Sequence, residues 1–182
     1  MPSILLISGS PSVPSKSTAV LQYACDQLSA HKITTNLVGL RDFPAEDLLL
    51  GKYDSPAFAR LHALLAEADG LIVSTPIYKA AYTGGLKALL DILPQSALRG
   101  KTVLPIATGG SPAHLLAIDY ALKPVLSALG ATDLLQGVYI VDKQLTLGSY
   151  GDLGFADDEL RERLHAAIAQ LAASVKSGAL TV

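Results

Sequence analysis

The feature that most constrains this chain is an alternation. Short, almost unbroken apolar runs trade places with segments whose apolar residues recur every three or four positions. A run of five or six apolar residues bounded by small or polar ones reads as a strand buried on both faces, the condition of a parallel sheet covered by helices. SILLIS at 3–8, ITTNLVGL at 33–40, GLIVST at 70–75, TVLPIAT at 102–108 and a stretch within LLQGVYIVD at 134–142 are such runs. Between them, helical spacing links Val20, Leu21, Ala24 and Leu28 in a segment that begins near Ser17. A second helix starts at Ser55-Pro56, a capping serine before a first-turn proline, and buries Phe58, Leu61, Leu65 and Ala68. A third carries Leu86, Leu89, Leu90 and Leu93 up to Pro94, and a fourth carries Leu116, Tyr120, Leu122, Val125, Leu126 and Leu129 up to Gly130. Asp157 and Asp158 open the last, with Leu160, Leu164, Ile168, Leu171 and Val175 inside and Lys176 and Gly178 closing it.

Five strands alternating with five helices predict an α/β doubly wound sandwich, a five-stranded parallel sheet with helices on both faces. At this length the flavodoxin-like strand order 2-1-3-4-5 is the first expectation. Pro105 is the one discordant residue, because a proline inside a central strand withholds a ladder donor. With 182 residues and no repeat, linker or low-complexity stretch, residues 1–182 are expected to form one domain.

Composition excludes several function classes. A net charge of −2 gives no general attraction to nucleic acid or anionic lipid. The single cysteine, Cys25, rules out a disulfide framework within the chain and suits a reducing compartment. No basic region precedes ILLIS, which is too short for a signal core, and no apolar run approaches the roughly 18 residues that span a bilayer. The expectation is a cytoplasmic protein.

In a doubly wound fold, ligands bind beyond the carboxyl ends of the strands, near the switch in strand order. Three strand ends carry loops of unusual composition: GSPSVPSKST, TPIYKAAYTGG and TGGSPAH. The first offers the hydroxyls of Ser10, Ser12, Ser15, Ser17 and Thr18, one cation in Lys16, and the N–H groups of a helix start, which together suit a phosphate. Pro11 and Pro14 would hold that loop preformed. It lacks the glycines of both the Walker loop and the dinucleotide fingerprint, so a monophosphate fits better than a triphosphate or dinucleotide. In the second, Pro76, Ile77 and Tyr78 could pack a flat heterocycle while their backbone meets its polar edge. In the third, Gly109 and Gly110, between Thr108 and Ser111, let the backbone approach a ligand closely. Taken singly, these are also a serine-capped helix start, a proline turn with a surface tyrosine, and a chain reversal. Together, at the three appropriate strand ends, they point to one ligand.

These stretches resemble the NADPH-dependent FMN reductases of the flavodoxin-like superfamily. The resemblance runs through GSPSVPSKS, DLLLGKYDSP at 47–56, STPIYKAAYTGGLKALLDILP and LPIATGGSPAHLLAIDYALKPVLSALGA, and with the intervening pattern covers most of residues 3–142. It is nearest to the reductases of two-component alkanesulfonate monooxygenase systems. It implies FMN phosphate at Ser10, Ser15, Lys16, Ser17 and Thr18, the isoalloxazine near Pro76, Ile77, Tyr78 and Lys79, and the ring's polar edge at Thr108, Gly109, Gly110 and Ser111. It further implies NADPH as hydride donor, an FMNH2-dependent sulfonate monooxygenase as partner, and a homo-oligomer, tetramer or dimer. Ser12 departs from the relatives, which usually carry arginine after the first proline, so a bidentate contact is missing. AIDYALKPVLSAL resembles the branch in which an extra residue makes a π-bulge at a tetramer interface; this implies an interface role for Tyr120, whereas periodicity alone puts it on a buried helical face.

Hydride transfer between nicotinamide and flavin requires no protein acid, base or nucleophile, which agrees with the scattering of His31, His62, His114 and His165 and the absence of any metal-ligand spacing. His114 follows the third loop and is either site-lining or structural. Two other readings remain at this point: a quinone or azo reductase with tightly held FMN, and a flavodoxin-type electron carrier. The segment at 145–158, LTLGSYGDLGFADD, matches no pattern and reads as a flap or an oligomer contact.

Overall fold

The computed structural model describes residues 1–149 and 151–178. Strand β1 (Ser3–Ser8) lies in a parallel sheet between the edge strand β2 (Thr34–Gly39) and the central β3 (Gly70–Tyr78), and β3 pairs on its far side with β5 (Thr102–Gly109). The fifth expected strand is two pieces, β6 (Asp133–Leu134) and β7 (Val138–Val141), both parallel to β5. The order is therefore the expected flavodoxin-like one, with its last member interrupted.

Pro105 explains the interruption. β6 pairs with Thr102 and Val103, β7 with Ile106 to Gly109, and the gap between them falls opposite Pro105. The Pro105 carbonyl faces that gap, 2.8 Å from where a Cβ on Gly137 would stand, so the absent N–H faces it too. Gly137, with φ of +90°, carries the chain past the obstacle. On its β3 side the proline keeps its register with Val73, which is how it is tolerated in the middle of the sheet.

Alternation sorts the apolar residues onto two faces. Ile4, Leu6, Ile72, Leu104 and Ile106 pack under helices α1 (Lys16–Ala30) and α6 (Asp158–Gly178), with Val20, Leu21, Leu164 and Ile168 facing them. Leu5, Ile7, Leu71, Val73 and Val103 pack on the other face under α3 (Ala59–Glu67), α4 (Gly84–Ile92) and α5 (Lys123–Ala128). A short helix not foreseen from the sequence, α2 (Ala45–Leu49), sits in the 41–55 excursion and packs on α4. No helix among the described residues is long and apolar enough to cross a membrane.

Two expectations are corrected, and one segment that matched no pattern gains a structure. The third strand does not stop at Thr75 but runs to Tyr78 and turns into a hairpin with β4 (Ala81–Tyr82). Leu116 and Tyr120 are not on a buried helical face: they are 52% and 80% exposed, and Tyr120 lies in a π-helical turn over Ile118–Leu122 that leads into α5. The 145–158 segment is a hairpin, β8 (Leu145–Leu147) with β9 (Leu153–Phe155), laid on α1. Leu145 is buried beneath it, and Phe155 meets Tyr23 edge-on at 5.1 Å.

Candidate functional site

Eight polar residues are buried among those described, and all but Thr102 stand at the carboxyl ends of β1, β3 and β5: Ser8, Ser10, Ser17, Ser74, Thr75, Thr83 and Thr108. Interior positions normally go to apolar side chains, and buried hydroxyls need partners to offset lost solvation. Here the partners are each other. Ser8 Oγ and Thr18 Oγ1 are 2.7 Å apart, and Ser17 Oγ and Thr108 Oγ1 are also 2.7 Å apart, bolting the start of α1 to β1 and β5. Ser74 Oγ is buried with no partner.

The first loop runs from Gly9 to Ser15, whose hydroxyl oxygen caps α1 by accepting from the Thr18 N–H at 3.3 Å. The leading N–H groups of a helix have no intrahelical acceptor. The cap takes Thr18's, which leaves those of Lys16 and Ser17 without an intrahelical acceptor. Ser10 Oγ likewise accepts from the Ser12 N–H at 3.3 Å. A hydroxyl that accepts still has its own hydrogen to give, so Ser10 and Ser15 remain donors toward a ligand. Ser17 and Thr18 share hydroxyl hydrogen bonds with Thr108 and Ser8 on the strands beneath. Lys16 turns its Nζ to the main-chain oxygen of Asp142, just past β7.

The second loop is the β3–β4 hairpin. Pro76 and Ile77 are half-buried, and Tyr78 and Lys79 are exposed at its tip. Lys79 and Ala80 both have positive φ, 50° and 68°, the pattern of a tight two-residue turn usually made with glycine or asparagine. The hairpin ends at Thr83, which caps α4 by accepting from the Leu86 N–H at 3.0 Å and donates to the Gly9 carbonyl at 2.6 Å. Gly9 is further pinned by its own N–H to the Ser74 carbonyl at 2.7 Å, and a Cβ there would meet Leu86 Cδ2 at 2.8 Å.

The third loop leaves β5 at Thr108 and Gly109, both buried, and emerges at Gly110, whose missing Cβ faces open space. Ser111 Oγ accepts from the Ala113 N–H at 3.2 Å and starts a short turn that carries His114 outward to solvent. Tyr139 reaches across from β7: its hydroxyl donates to the Ser111 carbonyl at 2.7 Å and occupies the space a Cβ on Gly109 would need. Burial first and the nearby Asp142 carboxylate second raise the Tyr139 pKa above its ordinary value. Neither Thr83 nor Tyr139 stands out in the sequence; each acts through the other loops, and only TPIYKAAYTGG, which includes Thr83, gave a signal.

All thirteen expected ligand positions thus lie on three adjoining loops at one edge of the sheet. A cleft of about 530 Å³ lies outside that junction, between α6 and the π-turn, and backs onto the third loop through Pro112 and Tyr139.

The sequence pattern of NADPH-dependent FMN reductases matches residues 2–146. The chain belongs to this family. It is 53% identical over 142 residues to "FMN reductase (NADPH)" of Escherichia coli K12, an alignment covering 78% of this chain and 74% of that one. It is 50% identical over 162 residues to the protein of the same description from Pseudomonas putida KT2440, covering 89% and 82%. Among solved structures, an apo NADH:FMN oxidoreductase (EMOB) superposes with a TM-score of 0.85 at 41% identity, covering 96% of this chain and 90% of the other. Membership makes the chain an NAD(P)H-dependent flavin oxidoreductase, with FMN and NADPH as the molecules its site receives. The chemistry of these loops is compatible with FMN: hydroxyls at a helix start would suit a phosphate, and a hairpin of proline, isoleucine and tyrosine beside glycine backbone would suit a flat ring with a polar edge.

Proposed function

We propose that this flavin oxidoreductase takes hydride from NADPH onto FMN and releases the reduced flavin to a partner monooxygenase that acts on sulfonates. The observation that carries the reading is the gathering of buried hydroxyls at the three strand ends, among them Ser74 Oγ, which is buried with no partner. In this reading the phosphate rests on the Lys16 and Ser17 N–H groups and the Ser10 and Ser15 hydroxyls. Ser17 and Thr18 hold the helix start in place from below. Pro76, Ile77, Tyr78 and Lys79 flank one side of the ring, and Thr108, Gly109, Gly110 and Ser111 meet its edge. Bound FMN supplies the hydride-accepting ring; the protein's part is to hold that ring and leave one face open for nicotinamide.

Release to a partner is supported by the modest anion site, in which Ser12 stands in place of an arginine and the loop's donors are mostly neutral. A homo-oligomer through the π-turn is supported by Tyr120, 80% exposed, beside Leu115 and Leu116, which are 50% and 52% exposed. The decisive experiment varies donor and acceptor together: NADPH and NADH oxidation with FMN, FAD and riboflavin, followed by gel filtration of the reaction mixture. Fastest turnover with NADPH and FMN, with flavin eluting apart from protein, is expected. Ping-pong kinetics toward a quinone with flavin retained on the protein would overturn the releasing reductase.

A further inference from the structure

The fifth strand lends no residue to the three loops, yet it holds two of them. Lys16 Nζ, rooted in the first turn of α1, donates to the Asp142 carbonyl at the end of β7. Tyr139, within β7, donates to the Ser111 carbonyl of the third loop at 2.7 Å. The strand is a firm anchor for both. It pairs with β5 from Val138 to Val141, its Tyr139 carbonyl accepts from the Arg163 guanidinium at 3.0 Å, and its Val141 N–H donates to Gln144 Oε1 at 3.0 Å.

Of the two, the third loop has few ties of its own, whereas the first is also joined to the strands through Ser8 with Thr18, Ser17 with Thr108 and the Gly9 N–H. Gly110 is exposed with open space around it, and Ser111 contributes only its local bond to Ala113. The Lys16 ammonium, committed to a main-chain oxygen across the sheet end, is turned away from the role of phosphate counter-charge that its position in the first loop suggests. What the two side chains share is a direction: each bridges from a ligand loop to the same strand, one at the phosphate end and one at the ring-edge end.

We propose that Lys16 and Tyr139 are positioning residues, two struts on the fifth strand that fix the first and third loops at the separation a flavin requires, and that the Lys16 ammonium is not the charge that binds phosphate. This rests on the flavin reading of the site. A loop freed of its strut spends less time in the binding geometry, and the apparent affinity falls by that fraction whichever flavin is offered. One hydrogen bond of ordinary net strength corresponds to a loss of about fivefold to tenfold.

The test is equilibrium titration of the full chain with FMN and with riboflavin, which lacks the phosphate, read by flavin fluorescence. Lys16→Met and Tyr139→Phe are each compared with wild type, after thermal melts establish that each is folded at the titration temperature. Both variants are expected to bind both flavins about fivefold to tenfold more weakly, with the ratio of FMN to riboflavin affinity unchanged. Lys16→Arg, which keeps a donor for Asp142, is expected to bind within about twofold of wild type. Loss confined to FMN in Lys16→Met would make the ammonium a phosphate ligand and overturn the proposal. Unaltered binding of both flavins by Tyr139→Phe would also overturn it. Wild-type protein that binds neither flavin would instead remove the reading beneath it.

Discussion

Replacing Gly137 by alanine tests the account of how the sheet accommodates Pro105. Gly137 has φ of +90°, and an alanine forced into the left-handed region loses about 1–2 kcal/mol. Reduced freedom in the unfolded chain returns about 0.4–1 kcal/mol of that. The new methyl would also stand 2.8 Å from the Pro105 carbonyl oxygen, 3.0 Å from Pro105 Cγ and 3.2 Å from Ile118 Cγ2. Two of these atoms belong to a strand held on both sides and the third to the π-turn, so none can swing away as a flexible side-chain end would. Overpacking of that kind costs about 1–3 kcal/mol. Gly100 is the matched control, because its φ of +74° imposes similar strain while nothing lies within 4 Å of a Cβ there. Gly137→Ala should therefore exceed Gly100→Ala by about 1–3 kcal/mol, and at about 2–4 °C per kcal/mol for a chain of this size the two melting temperatures should differ by about 2–12 °C. Scanning calorimetry of the three proteins side by side reads this directly. Equal melting temperatures for the two variants would mean that the Pro105–Gly137 contact is not tight, and the explanation of the split fifth strand would fall with it.

Thr83→Val keeps the shape of a buried side chain but removes the α4 cap and the donor to the Gly9 carbonyl; about 2–4 kcal/mol of stability should go, measured by denaturant titration, while Thr83→Ser stays close to wild type. Asp47 is held below its ordinary carboxylate range by the Ser55 hydroxyl first and by Lys52 second. A depressed native pKa adds stability above the unfolded value of 3.8 and loses it as pH falls through the native one, so Asp47→Asn should flatten the acid limb of the stability profile by lowering stability at neutral pH while leaving the most acid end little changed.

The alternation of apolar runs made the layer order legible, because a strand buried on both faces has no other composition open to it. Pro105 was legible as a disturbance but not in its effect, since the response is carried by Gly137, some thirty positions away and chosen by register. The three loops were legible through their hydroxyls and glycines. The β3–β4 hairpin was not: its turn is Lys79-Ala80, without the asparagine or glycine that normally signals one. Tyr120 misled periodicity because a π-turn shifts the helical phase, taking Leu116 and Tyr120 off the buried stripe that Leu122 and Leu126 still follow. Thr83 and Tyr139 work by bonds to residues 74 and 28 positions away, and such pairings leave no trace in local composition.

The side chains of Arg163 and Gln144 satisfy polar main-chain atoms along the outer margin of β7. A margin occupied at these two atoms is a poorer template for a foreign ribbon to extend the sheet. Copies of this chain that associate on that flank do so more readily by fitting side chain to side chain, which ties assembly to a few surface residues and leaves it open to adjustment without any change to the pleated framework within.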